Sequence, residues 1–540
     1  MEHRSIQSPE KMAKKSSEET QTTVNKGIIV GIDDLGEDLM RNILSRLPAL
    51  SFASAACVSR YWNFLCNLVL SYPKLSSAAS FSSSLENALS EAVDKVLSEP
   101  IRPHFVIASI GPAFSLQRAH QLIAEKLGSR IPLIINVSAG IIGRDLFTDK
   151  FVEVQWEVTE EDEGYEFAEE NASRGLILTV GFLPGLMTHI VPLLSEDMGP
   201  LLVDEFVADI QGYASAVSDS ESPAGIMLFA DLKTDIKPVL QAMEYAFSRD
   251  TVIVGDGGSR FLYRSGSINT TNGMPKSAPA AVALLFARDR NKPIGIGEIN
   301  FHAMLSTGLS PVGLTYKAVS VKSYASSTCV TASRNTLHEH LDGITILEEV
   351  YDQLGDRIQY PSFFIGVTKR RKCCVGMGKI RRMQFLEFHE VLGGNEEYLF
   401  LNSVGIKTGD PFQFYMSNSK SAMAYCKTIS DNLRLLKLGC EHRPDQASSS
   451  VSYLDKSEVF GGIIFSCCGR GDSFFGQSGV DSSPFLDNFP GVTFAGTYCN
   501  GEIGRSNSSL YNKEDGFSSC CVHVYSAAYL VMSYSPPSLP

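Results

Sequence analysis

The sequence predicts a mixed α/β (α+β) protein, with a small helical unit ahead of a larger body whose sheets are mixed. Three observations predict it. Residues 32–72 place leucines at helical spacings of three and four. From about residue 85 onward, short apolar runs alternate with amphipathic stretches, the pattern of strands and helices sharing one body. Between the two lies SSAASFSSS, Ser76 to Ser84, whose composition is that of a flexible linker.

In the helical unit, Leu35, Leu39, Ile43, Leu47 and Leu50 are expected on one helical face, with Leu47-Pro48 ending the first helix. Ala53, Ala56, Cys57, Trp62 and Leu65 continue the apolar pattern. In the body, helices are expected at Leu85 to Leu97, Arg118 to Leu127 and Ile236 to Phe247. Buried strands are expected at His104 to Gly111, Pro132 to Val137, Gly175 to Gly181, Gly225 to Phe229 and Thr251 to Val254. The character breaks near residues 268–280 and then resumes. Further strands are expected at Ala281 to Phe286, Ser362 to Val367, Glu397 to Val404, Val459 to Phe465 and Val492 to Ala495. Asn418 to Leu438 reads as a capped helix, residues 440–458 as a polar loop, and Cys520 to Met532 as one long strand. No repeat with a period of twenty to fifty residues is evident, and L-x-x-L-x-L units do not recur, which argues against a leucine-rich array.

The 540 residues suggest three or four structural units at roughly 150 residues each. With 44% apolar and 20% charged residues the bulk is ordinary globular protein, and a net charge of −13 argues against a general nucleic-acid surface. Twelve cysteines include three adjacent pairs but no C-x-x-C, and no secretory-type apolar core precedes them. Reduced thiols in the nucleus or cytoplasm are therefore expected. Gly175 to Ser195 is long and apolar enough to invite a membrane reading, but its prolines and glycines favour a buried strand followed by a turn.

Residues 33–65 read DDLGEDLMRNILSRLPALSFASAACVSRYWNFL. Leu35, the acidic Glu37-Asp38, Leu39, Ile43, Leu47-Pro48, Cys57-Val58-Ser59-Arg60 and Trp62 resemble an F-box. Gly36 stands where that family usually has proline, so a looser helix entry is expected. The resemblance implies docking on a Skp-type adaptor, and through it on a cullin, by Leu35, Leu39, Ile43, Leu47, Pro48, Val58 and Trp62. The physical reading agrees: about forty residues bury too little apolar surface to be stable alone. The rival reading is a helical hairpin docked on the protein's own body.

A second stretch, Gly461 to Gly504, runs an apolar strand into Ser466-Cys467, then Gly469-Arg470-Gly471, and later reaches Asn500-Gly501-Glu502-Ile503. With IPLIINVSAGIIG, GIMLFAD and VIVGDGG upstream, it resembles the FIST domain. The resemblance implies a sensor of small, amino-acid-like ligands, found with F-boxes in animal and plant proteins. The expected organisation is a disordered tail (1–30), F-box (31–73), Ser-rich linker (74–84), N-terminal FIST part (85–275) and C-terminal FIST part (276–535).

The second stretch also has chemistry of its own. Glycines flanking Arg470 permit a tight turn whose N–H groups can hold an anion. Its guanidinium could grip a carboxylate and Glu502 an ammonium, with Cys467, Cys468, Gly469, Gly471, Asn500 and Gly501 completing a candidate ligand or substrate site. Equally open is a direct Arg470–Glu502 pair that fixes two loops. If the strand continues through Cys467 and Cys468, their side chains alternate and at least one is buried. An enzymatic alternative takes one of them as nucleophile with His523 as base, though no spacing brings them together.

The basic island of Lys369 to Lys372 with Lys379, Arg381 and Arg382 reads as a solvated edge, an acidic-partner surface or an import signal. His338-Glu339-His340 lacks metal-site spacing, and no P-loop, G-x-G-x-x-G or G-x-S-x-G occurs. The expectation is a non-catalytic substrate-recruiting subunit of a Skp–cullin–F-box ubiquitin ligase, with an unidentified substrate protein and no cofactor, metal, nucleic acid or membrane. A small-ligand sensor is the alternative.

Overall fold

The computed structural model describes residues 35–156, 173–194, 199–266, 279–324, 326–334, 340–354, 362–376, 378–441, 457–505 and 520–537. The expected tail, the residues before Leu35, His338-Glu339 and nearly all of the 440–458 loop lie outside these.

Helix α1 (Glu37–Leu44) has Glu37 and Asp38 in its first turn and Arg41 in its last, each sign complementing the helix dipole. The chain turns before Pro48, which begins α2 (Ala49–Ala55). Ser59 caps α3 (Arg60–Val69), its hydroxyl accepting the Trp62 N–H at 3.1 Å. Met40, Leu44, Phe52, Ala55, Leu65 and Cys66 form the core of this unit. The single expected helical face is thus divided. A residue before proline disfavours helix, so α1 stops at Leu44 and Leu50 falls in α2. The buried side of α1 is Met40 and Leu44, whereas Leu39 and Ile43 are exposed.

Strand β1 (Lys74–Ser80) follows almost at once. It occupies most of the stretch expected to be a linker. Its polar groups are satisfied within the fold: Ser77 Oγ lies 3.0 Å from Thr179 Oγ1, and Ser80 Oγ donates to Glu91 at 2.8 Å. Small side chains, which suggested flexibility, instead let Ala78 pack beneath the next helix.

The chain continues through α4 (Leu85–Val96), β2 (Phe105–Ile110), α5 (Leu116–Leu127), β3 (Leu133–Val137), β4 (Gly140–Arg144), β5 (Phe151–Gln155) and β6 (Leu176–Phe182). Next come β7 (Leu186–Leu194), α6 (Pro200–Val217), β8 (Gly225–Ala230), α7 (Lys237–Ala246), β9 (Val252–Asp256), β10 (Phe261–Arg264) and β11 (Pro279–Arg288). Strand β12 (Glu298–Thr307) leads into β13 (Leu309–Ser323), β14 (Thr328–Arg334), β15 (His340–Leu341), α8 (Gly343–Leu354), β16 (Phe363–Cys373), β17 (Arg381–Gly394), β18 (Leu399–Asn402) and β19 (Pro411–Ser417). Last are α9 (Ser419–Glu441), β20 (Glu458–Cys467), α10 (Asp472–Phe475), α11 (Ser483–Asn488), β21 (Thr493–Cys499), β22 (Glu502–Arg505), β23 (Cys521–His523) and β24 (Ser526–Ser535).

Three of the sheets repeat one arrangement. Each contains a parallel pair (β2–β3, β8–β9, β20–β21) whose two strands are separated by helix. An antiparallel strand lies beside the first member of each pair: β6, β11 and β24. Another, β10, β22 or β4, lies beside the second. The exchange is cyclic. The strand that follows each pair in sequence joins a different sheet: β4 goes to the β20–β21 sheet, β10 to the β2–β3 sheet and β22 to the β8–β9 sheet. The chain therefore does contain a repeat, threefold and with a far longer period than a solenoid would show. The expected split at residues 275/276 is not a spatial boundary, because β11 pairs with β7 and β8, while β21 pairs with β4.

Between β12 and α9, the seven-stranded sheet β13-β19-β16-β17-β18-β14-β15 is closed by an added β13–β14 pairing into a small barrel. Its interior holds Tyr316, Val330, Ile365, Leu399 and Phe414, with α8 packed against it. The described part of the apolar stretch, from Gly175 to Leu194, forms β6, buried throughout, and β7, with a turn at Gly185, where φ is +82°. No helix among the described residues is long and apolar enough to cross a membrane. The expected C-terminal strand is broken into β23 and β24 around Tyr525, at φ 49°.

Candidate functional site

The helical unit leaves much of its apolar surface uncovered. Leu39 is 52% exposed, Val58 64%, Leu50 78% and Phe64 52%, and Ile43 is exposed as well. Pro48 is exposed, while Leu35, Leu47 and Trp62 are half-buried against the helical core. The expected adaptor set thus separates into outward-facing Leu39, Ile43, Pro48 and Val58 and core-packed Leu35, Leu47 and Trp62. Leu50 and Phe64 join the exposed surface. Leu50 belongs to the expected helical face but not to the expected adaptor set, and nothing in the periodicity marks Phe64. A unit with six buried core side chains and this much exposed apolar surface is built to be covered.

The unit is also fastened to the body. Ala49 N–H donates to Leu97 O at 2.9 Å, Tyr534 Oη donates to Ser71 O at 3.3 Å, and the Tyr72 and Tyr534 rings meet edge to face at 5.3 Å.

A second site forms where the parallel pairs end and their chains cross between sheets. In open α/β sheets ligands bind at the carboxyl ends of strands, where the topology switches. Here the crossings touch directly. Gly257 N–H donates to Gly501 O at 2.7 Å, Ala139 N–H to Tyr498 O at 3.0 Å, and Cys468 N–H to Cys499 O at 2.9 Å. Gly258 must be glycine, since a Cβ would lie 2.2 Å from Asn500 O. Gly501, at φ +120°, makes the turn from β21 into β22.

Polar side chains gather at this crossing. Asn136 receives a hydrogen bond from Ser109 Oγ at 2.7 Å and points its amide at Asp256, 3.4 Å away. Asp256 also accepts the Gly258 N–H at 2.9 Å, and burial pushes its carboxyl up to about 6. Glu502, its register partner across β9–β22, accepts from Ser526 Oγ at 2.8 Å. Burial pushes Glu502 well above the usual carboxylate range, toward the neutral acid. Close by, Ser109 and Thr179 help line a cavity of about 20 Å³ between the three sheets, room for about one water.

Arg470 is not available to a ligand in this arrangement. It is fully buried, and its guanidinium grips Asp481 with Nε at 2.9 Å and Nη2 at 2.6 Å. Nη1 donates to Tyr525 O at 2.9 Å and Nη2 also to Ser306 Oγ at 3.2 Å. Burial opposes the charge, but the Asp481 carboxylate outweighs it and holds Arg470 protonated. The expected partner, Glu502, is replaced by Asp481 because α10 and α11 fold back over the end of β20. Of the flanking glycines only Gly471, at φ +106°, uses its positive-φ freedom. Gly469 serves by having no side chain, since a Cβ would meet the Tyr525 ring at 2.9 Å.

Strand β20 ends at Cys467, which is buried as at least one of the pair was expected to be, and Cys468, in the turn beyond it, is exposed. The Cys468 thiol sits 2.9 Å from Asn500 Oδ1. A hydrogen bond from Cys467 lowers its pKa, whereas Cys467 itself is pushed well up. Arg470 is not the cause. His523 lies beside Cys521, Sγ to Nε2 3.4 Å, and burial lowers it to about 4 while raising Cys521 to about 12. The structure therefore pairs His523 with Cys521 and not with Cys467 or Cys468. Sequence reasoning missed Asn136, Asp256 and Asp481. The first two lie in the segments IINVSAG and VIVGDGG, where a polar residue interrupts an apolar strand at or next to its end, and that is the available signal.

The family model for the F-box domain matches residues 32–74. The chain is 40% identical over 532 residues to an F-box/LRR-repeat protein of Arabidopsis thaliana, a match covering 96% of this chain and 97% of that protein. That relative's name includes leucine-rich repeats; in this chain the described strands form interlaced sheets and a barrel, not a stack of strand–helix repeats.

Proposed function

This chain belongs to the F-box proteins, and from that premise we propose that it is the non-catalytic substrate receptor of a Skp–cullin–F-box ubiquitin ligase. The observation that carries this reading is the exposed apolar surface of the helical unit, with Leu39 at 52% and Val58 at 64% exposure. The helices would dock that surface on a Skp-type adaptor, and the body would hold the protein to be ubiquitinated. Truncating exposed anchors tests the interface without disturbing the helical core, which a Trp62 substitution would loosen. The full chain with Leu39→Ala/Val58→Ala should unfold at an unchanged temperature yet recover at least about tenfold less purified Skp-type adaptor than wild type. Equal recovery rejects the interface, and no recovery with either rejects the ligase role.

A second reading concerns the body, whose sequence resembles a FIST-type sensor domain. We infer that a small amino-acid-like ligand would bind beside Cys468 and Asn500, a reading supported by their position at the crossing of the strand ends, with Arg470 holding the loop behind them. Free amino acids should raise the unfolding temperature of wild type and do so less for Asn500→Ala. Absence of any shift counts against the sensor reading, and equal shifts against this location.

A further inference from the structure

Strands β16 and β17 extend beyond their sheet as a two-stranded ribbon. Strand β19 pairs only with Phe363 to Val367, and β18 only with Glu390 to Gly394. Among the described residues, no further strand pairs with the rest, Thr368 to Cys373 against Arg381 to Leu386, on either side.

Alternate residues divide the ribbon into two unlike faces. On the inner face Lys369 is buried, donating to Glu387 at 2.6 Å and to Gly405 O at 2.8 Å. Arg371 reaches Gln241 of α7 at 2.9 Å and Glu387 at 3.2 Å. Near the turn, Tyr245 Oη donates to Lys379 O at 2.6 Å, and the Arg381 guanidinium lies 5.0 Å from the Tyr245 ring centre. This face fixes the ribbon to the body.

The outer side differs. Arg370, Lys372 and Arg382 are exposed there, as is Lys379 in the connection between the strands, and none pairs with a carboxylate among the described residues. Lys372 stands directly opposite Arg382 in register, a like-charge cross-strand pair that costs stability. In a chain of net charge −13, a ribbon carrying opposed, unneutralised cations is an electrostatic exception. An import signal would need the basic side chains free along a detachable segment, and Lys369 and Arg371 are committed elsewhere.

We propose that the outer face of this ribbon docks an acidic, Asp/Glu-rich segment of a partner protein. Carboxylates along an extended segment would meet the row of cations and relieve the Lys372–Arg382 repulsion. That the partner is the captured substrate rests on the receptor reading above; the binding itself does not.

The test uses the full chain, a fluorescent oligo-glutamate peptide, and a single-stranded oligonucleotide of equal charge. Wild type should bind the peptide at low salt, more weakly as salt rises, and Arg370→Ser/Lys372→Ser/Arg382→Ser should bind it about tenfold more weakly with unchanged thermal unfolding. Lys372→Glu, which creates an internal ion pair with Arg382, should lose binding while unfolding at a higher temperature. No peptide binding by wild type, equal binding by the variants, or tighter binding of the oligonucleotide would each overturn the proposal. Adaptor recovery should be the same for these variants as for wild type, so failure here is distinct from failure of the ligase reading.

Discussion

Asp256 shows what burial does to a single carboxyl. Its native pKa, about 6, lies above the ordinary 3.8, so the folded state holds a proton the unfolded chain has released. The sign follows: this group does not penalise folding below about pH 4, and the penalty grows as pH rises through 6. Asp256→Asn should therefore be more stable than wild type at pH 7 by about 1–3 kcal/mol and no more stable near pH 4, as measured by urea unfolding at both. The amide oxygen can still accept the Gly258 N–H. Arg470 illustrates the opposite case. A buried pair in which each guanidinium nitrogen has a partner becomes very costly when one member is lost, about 3–5 kcal/mol, although the intact pair adds little net stability. Neither role was legible from sequence, because both depend on what lies across the fold. Gly469-Arg470-Gly471 correctly marked a tight turn, but the Asp481 that completes it comes from a loop with no distinguishing pattern.

At the scale of elements, periodicity located those that are simply amphipathic or simply buried. Helices α4, α5, α7 and α9, and strands β2, β3, β8, β9 and β20, lie within a few residues of where apolar spacing put them. It failed where composition misleads. Strand β1 reads as a linker because serine and alanine are also the residues that let a helix sit close on a sheet. Strand β12 and the barrel strands β13, β14 and β17 escaped notice because buried and less buried positions mix along them and polar residues are interspersed. The β16–β17 ribbon allows an energetic test at this scale. Replacing the Lys372–Arg382 repulsion by attraction through Lys372→Glu should stabilise the protein by about 0.2–1 kcal/mol, read from chemical denaturation. The effect should shrink in high salt, because the pair is exposed.

At the scale of the whole molecule, the F-box and the α/β class were legible because each rests on local patterns. The threefold strand exchange was not, since pairing between distant segments leaves no local mark. The exchange means that, unlike the barrel, none of the three interlaced sheets is finished within one stretch of sequence: β4, early in the chain, waits for β21, and β9 waits for β22. The last described strand, β24, lies between β12 and β20 and is buried along almost its whole length. A nascent chain emerging from the ribosome can fold its helical unit early, but its main core cannot close until residues near 535 are out. Until then it carries exposed strand edges, so its synthesis is the period when chaperones matter most and when a premature stop would leave an aggregation-prone remnant rather than a smaller working protein.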